Sequence, residues 1–356
     1  MQLTLRMAAA LALGLVLAFS LATADPAREA PDSIYFEPQP PQPPPPPPQL
    51  VLAQTFTEPG RVTSMQIDSV ALGSRRKVYL YLPPGYDQGE QRYPVIYLMR
   101  GHEFEWLDNK SSESRKGRNA AIIADELIMS GAMPPVILVM PPMASGNKEL
   151  IALGVNLPNP KVAKGAAGVG PGRFEDFILQ EVVPSVDREF RTIADGRYRG
   201  IDGFSLGGFT ALTLAMRHPD VFASAGAFEG SFVYPEGKRP DGRPDEYLQE
   251  EMKDTFGTPP DLELLRRVNP IDLADALDAA HLQRITFHVQ SVPAGRGDQA
   301  RAAMLVSRLT AKGAVNTFVP MEMAGSKHGW YWADDHVKQV LPKHVEVFAK
   351  TAALER

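Results

Sequence analysis

The stretch Tyr198-Arg199-Gly200-Ile201-Asp202-Gly203-Phe204-Ser205-Leu206-Gly207-Gly208 constrains this chain more than any other. A short apolar run enters a Gly-x-Ser-x-Gly turn, and an Ala- and Leu-rich helical pattern leaves it through Phe209 to Met216. Strand, tight turn and helix in that order place a serine on a strained turn, its hydroxyl exposed above a sheet. Gly203 and Gly207, two residues before and two after Ser205, leave room for neighbouring backbone to pass close by. The five-residue pattern alone arises often by chance. Its weight depends on whether the chain supplies the partners that such a serine needs.

Composition narrows the chemistry those partners can use. The 356 residues are 44% hydrophobic and 22% charged, the profile of a globular protein with a full core. The formal net charge is −5 and the Lys and Arg residues are scattered, so no nucleic-acid footprint is expected. There is no cysteine. Disulfides, thiolate metal sites and a cysteine nucleophile are therefore excluded, leaving hydroxyl, carboxylate and imidazole for covalent chemistry.

Residues 1–24 read as an export signal, with Arg6 in the charged region, Met7 to Leu21 apolar, and Ala22-Thr23-Ala24 as a small-x-small cleavage site. That apolar core falls short of the ~18–20 residues of a spanning helix, and no second run of spanning length follows. Residues 25–58 form a linker containing the nearly all-proline segment Pro38 to Gln49, a stiff polyproline II rod best read as a spacer. The folded domain is expected over 59–356.

Within it, Arg61 to Ala71 and Lys77 to Leu82 alternate as a hairpin around Gly73-Ser74. Pro94 to Met99 and Val136 to Met140 are continuous apolar runs of the buried-strand type, with a helical pattern from Ala120 to Met129 between them. Phe174 to Phe190 is helical, Val221 to Phe228 and Arg284 to Ser291 are strands, and Gln299 to Lys312 is an amphipathic helix. Val315 to Met323 is a last strand, followed by a helix from about Ala333 to Ala353. Alternating strands and helices predict a mostly parallel central sheet with helices on both faces, an α/β architecture. Residues 144–172 read as a rim loop and about 231–283 as an inserted cap.

A serine hydroxyl is a poor nucleophile unless a base takes its proton and a third group orients that base. On a sheet carrying this elbow the partners follow in the order serine, acid, histidine, each beyond a strand's carboxyl end. His218, His281, His288, His336 and His344 fall on helices, on a strand or just before one, which leaves His328, in Gly325-Ser326-Lys327-His328-Gly329-Trp330, as the base. Between Val292 and Lys327 the carboxylates are Asp298 and Glu322; Glu322 falls inside the last strand, so Asp298 is the expected acid. The oxyanion donors should be the backbone N–H groups of Leu206 and, from the loop Arg100-Gly101-His102-Glu103-Phe104-Glu105-Trp106, of His102. Trp106, Trp330 and Trp332 flank these loops and are candidates for an aromatic-lined substrate pocket. His102-Glu103 lacks the second histidine of a zinc helix, and no metal site is expected.

Several blocks make the chain resemble the Putative esterase (esterase D-like) family of α/β-hydrolases. They are Val78 to Tyr86, Tyr93 to Leu98, Glu181-Val182-Val183-Pro184, Gly203 to Gly208 with Arg217 to Phe222, and His328-Gly329-Trp330. The family includes feruloyl and acetyl-xylan esterases, enterochelin esterases, S-formylglutathione hydrolases and mycolyltransferases of the antigen 85 group. The resemblance implies an α/β-hydrolase fold and a triad of Ser205, Asp298 and His328, with no cofactor. Arg100-Gly101-His102 departs from the family's usual His-Gly or Asp-Gly, and the turn from Ser291 to Asp298 is long for its Gly-x-x-Asp. The expectation is an exported serine esterase, periplasmic or extracellular, acting on a small-molecule or saccharide ester. An acyltransferase using the same triad, or a non-catalytic exported binding protein on this fold, are the alternatives.

Overall fold

The computed structural model describes residues 56–109, 115–293, 298–320 and 325–354. The expected export signal and nearly all of the proline-rich linker lie outside them, as does Glu322.

Eight strands form one sheet in the order β1-β2-β4-β3-β5-β6-β7-β8. β1 (Arg61–Ser69) and β2 (Ser74–Leu82) pair antiparallel as the expected hairpin, and β2 runs antiparallel to β4 (Ile137–Met140). From there β3 (Val95–Met99), β5 (Arg199–Gly203), β6 (Ser224–Phe228), β7 (Thr286–Ser291) and β8 (Asn316–Pro320) are parallel. The all-apolar runs of β3 and β4 follow from burial on both faces. Val95, Tyr97 and Met99 enter one core, and Ile96 and Leu98 the other.

The helices are α1 (Ala120–Met129), α2 (Phe174–Asp176), α3 (Val183–Glu189), α4 (Leu206–Arg217), α5 (Lys253–Phe256), α6 (Leu262–Val268), α7 (Pro270–Ala276), α8 (Ala279–Leu282), α9 (Asp298–Ala311) and α10 (Trp330–Leu354). α4 packs with the cap helix α7 in the core on one face of the sheet, while α1 and α10 meet on the other. The chain is therefore a three-layer α/β-hydrolase fold, as expected.

Among the boundaries that differ from the sequence pattern, three have a local cause. The helical run from Phe174 passes through a wide π-helical stretch, Phe177–Val182, just before Pro184, whose ring removes an amide donor from the ladder. β6 starts at Ser224 because the chain is still turning, with the Val221 N–H donating to the His218 carbonyl at 2.9 Å. α10 begins at Trp330 because the Gly329 carbonyl already accepts from the N–H groups of Trp332 and Ala333.

Asp202 of β5 is fully buried and turned toward α10. Its oxygens lie 3.0 Å from His336 Nε2 and 3.1 Å from His344 Nε2. His344 Nδ1 lies 2.7 Å from Ser224 Oγ, which lies 3.2 Å from His288 Nε2. Burial would raise the Asp202 pKa, but the His336 and His344 imidazoles outweigh it and hold the carboxyl far below the usual carboxylate range. Burial, reinforced by His344, Lys343 and His336 against the opposing pull of Asp202, pushes His288 down to about 2.

His288 thus stays neutral in the fold at pH values where the unfolded chain, with a pKa of about 6.5, takes up a proton. Between those two pKa values the unfolded state binds more protons, so stability falls as pH falls below about 6.5. Urea unfolding midpoints measured from pH 7.5 to 4 should fall, and His288→Gln should flatten that dependence by up to about 1.4 kcal/mol per pH unit.

Candidate active site

Ser205 links β5 to α4 with φ 59° and ψ −122°, a backbone conformation costing a non-glycine residue about 1–3 kcal/mol. Surrounding backbone holds it there. Its N–H donates to the Phe228 carbonyl at 3.0 Å, and its carbonyl accepts from Gly208 at 2.9 Å and from Phe209 and Ser231 at 3.2 Å. A Cβ at Gly203 would stand 2.1 Å from the Gly207 carbonyl oxygen, and one at Gly207 would stand 2.0 Å from that of Met99. Both glycines are there because three backbone segments converge. Ser205 Oγ lies 3.4 Å from Ser231 Oγ, a neighbour the sequence pattern did not single out.

His328 stands in the loop between β8 and α10, with its ring centroid 4.7 Å from that of Phe204, the residue before the serine. Its Nδ1 lies 3.5 Å from Glu229 Oε2. Glu229 directly follows β6, is fully buried, and has a φ of 49°. Its Oε1 accepts from the Ser291 hydroxyl at 2.5 Å and the Val292 N–H at 2.7 Å, while its own N–H donates to the Gln290 carbonyl at 2.9 Å. Glu229 was not a sequence candidate, because the search for an acid began after β7. Asp298 is the first residue of α9, and its side chain lies outside the described residues.

Leu206 opens α4, so its N–H belongs to the unpaired first turn of a helix. The His102 N–H is engaged differently from the expectation: it donates to Glu105 Oε2 at 2.5 Å, and Gly101 donates to the same oxygen at 2.9 Å. Glu105 reaches back over its own loop and occupies both amides. Its other oxygen lies 3.6 Å from Arg100 Nε.

The three tryptophans separate by burial. Trp106 is 1% exposed, with its ring edge-on to Trp330 at 5.1 Å and its Nε1–H donating to the Met99 carbonyl at 3.3 Å. Trp332 is also buried. Trp330 is part-exposed and touches the site, with its ring 5.2 Å from Phe204 and under the guanidinium groups of Arg115 at 4.6 Å and Arg100 at 5.8 Å. Arg115 in turn forks onto Asp334 at 2.9 and 2.7 Å, a buried pair that anchors the start of α10.

A family model described as Putative esterase matches residues 69–308. The chain belongs to that family. An endo-1,4-β-xylanase/feruloyl esterase of Xylanibacter ruminicola is 30% identical over 50% of this chain and 22% of its own length. An esterase of Mycobacterium tuberculosis is 28% identical over 48% of this chain and 32% of its own. The chain thus spans about a third or less of those two relatives. Among solved structures, a ferulic acid esterase superposes with a TM-score of 0.64 at 20% identity, covering 82% of this chain and 99% of its own. An S-formylglutathione hydrolase from Agrobacterium tumefaciens does so with 0.60 at 16%, covering 83% and 100%. At these identities the superpositions bear on the fold.

Two substitutions test the packing around the site. Gly207→Ala drives a methyl into the Met99 carbonyl and should cost about 3 kcal/mol or more in urea unfolding; Gly208→Ala, whose nearest contact would be 3.0 Å, should cost less. Arg115→Met leaves Asp334 buried and unpaired and should destabilise by about 3–5 kcal/mol, with Asp334→Leu added to it restoring most of the loss.

Proposed function

We propose that the chain hydrolyses carboxylic esters, with Ser205 as nucleophile and His328 as general base. The observation that carries this reading is the strained elbow at Ser205, with the His328 ring packed on Phe204 immediately beside it. His328 removes the Ser205 hydroxyl proton as Oγ attacks the ester carbonyl, and the developing oxyanion is met by the Leu206 N–H at the start of α4. Collapse of the tetrahedral intermediate expels the alcohol, which takes the proton back from His328. Water activated by the same imidazole then releases the acid and frees Ser205.

Esterase relatives and esterase fold neighbours support hydrolysis over acyl transfer as the outcome. The substrate we infer is a small-molecule or saccharide ester, to whose acyl or alcohol group Trp330, part-exposed beside Phe204, offers an aromatic surface. The signal-like pattern of residues 1–24 supports export, with the proline-rich segment as a spacer beyond it. Among the described residues no helix is long and apolar enough to cross a membrane.

Purified Ser205→Ala should lose at least about 10⁴-fold in kcat toward short p-nitrophenyl esters. A fluorophosphonate probe should label the wild type at Ser205 and leave the variant unlabelled. Retention of esterase activity by the variant would overturn the assignment.

A further inference from the structure

We propose that the carboxylate orienting His328 is Glu229, at the end of β6, rather than Asp298 beyond β7. This rests on the hydrolase reading above and concerns which acid completes it.

The geometry of Glu229 is that of a carboxylate already aimed. Its Oε1 is pinned by two donors from the end of β7, the Ser291 hydroxyl at 2.5 Å and the Val292 N–H at 2.7 Å. With one oxygen fixed, the other is held toward His328 Nδ1 at 3.5 Å. That separation exceeds a formed hydrogen bond by a few tenths of an ångström, as catalytic contacts often do before substrate tightens them. The Glu229 side chain is 0% exposed and that of His328 is 27% exposed. The acid is thus sealed beneath an imidazole that still reaches the surface.

Two costs at Glu229 need a compensating role. A carboxylate without solvent access is expensive unless it is hydrogen-bonded and paired. A φ of 49° adds backbone strain at a position where a glycine would carry none. Both are accounted for if the residue must place one oxygen under His328. The strand order supplies the lever arm: β5, β6, β7 and β8 are consecutive neighbours, and Ser205, Glu229, the Ser291–Val292 pair and His328 follow their ends in that order. β7 then contributes the donors that fix the acid, not the acid itself.

In this arrangement His328 Nδ1–H donates to Glu229 Oε2, which leaves the Nε2 lone pair to accept the Ser205 proton. The buried negative charge stabilises the imidazolium that forms. Glu229 stays ionised throughout and exchanges no proton, so it is a positioning residue acting through His328.

The test is a kinetic comparison of Glu229→Gln, Glu229→Asp and Asp298→Asn in the full chain, with Ser205→Ala measured alongside. Glu229→Gln should lower kcat by about 10²–10⁴-fold with KM changed by no more than about threefold. It should also displace the pH profile of kcat/KM and abolish the downfield imidazole N–H proton resonance expected of the wild type. Glu229→Asp, which restores the charge on a shorter arm, should recover part of the loss. Asp298→Asn should cost at most about tenfold in kcat and keep that resonance.

Loss of about 10³-fold or more in Asp298→Asn, with the resonance gone, overturns the proposal whether or not Glu229→Gln folds. So does near-wild-type kcat in Glu229→Gln. Either result leaves the hydrolase reading intact while Ser205→Ala remains inactive; an active Ser205→Ala is what defeats that reading.

Discussion

The hydrogen bond from the Ser205 N–H to the Phe228 carbonyl, 3.0 Å long, is the contact on which the site depends. It extends the β5–β6 pairing one step past the end of β5, where Phe204 bridges Phe228. A serine at φ 59° would relax toward ordinary backbone if nothing held it. The bond to Phe228, the Ser231 N–H on the Ser205 carbonyl and the first turn of α4 together remove that freedom. Because Phe228 is the acceptor, the next residue, Glu229, lies at the end of β6 beside the serine, its own N–H still paired with the Gln290 carbonyl of β7. One backbone bond therefore sets Ser205 and the buried Glu229 in fixed relation.

Much of the architecture was legible in the sequence because burial writes a pattern. β3 and β4 are buried on both faces and read as unbroken apolar runs; β1 and β2 alternate because their two faces differ in burial. The elbow was legible for a different reason: backbone convergence at Gly203 and Gly207 admits no Cβ, so the glycines are visible as letters. Helix ends were less so. Pro184 shows in the sequence, but the widened Phe177–Val182 turn that accommodates it does not.

The surroundings of the serine were harder to read, since they depend on distances between loops. Glu229 looks from sequence like the first residue past a strand, and nothing in Phe228-Glu229-Gly230-Ser231 says that its carboxylate turns inward to Ser291 and Val292. Glu105 is similar. Its spacing from Gly101 and His102 is that of a side chain folding back on its own turn, which captures amides that strand topology alone would offer to an oxyanion. A charged residue three or four positions along a loop competes for that loop's N–H groups, and sequence order carries no measure of which partner wins.

Among the described residues, three buried carboxylates meet histidines, and their settings separate their uses. Glu175 lies 2.7 Å from His218 and also takes Arg217, tying the end of α4 to the α2 segment. Asp202 lies between His336 and His344 in regular β5 backbone, buried on every side, and binds α10 to the sheet. Among the described residues, it is at Glu229 and His328 that a fully buried carboxylate on strained backbone meets an imidazole that is part-exposed and packed against the residue preceding the elbow serine. A merely structural pair gains nothing from strain or from an exposed imidazole, since both weaken it. A pair that must deliver a lone pair to a substrate-accessible hydroxyl requires the exposure, and the strain is what the surrounding β7 donors hold in place.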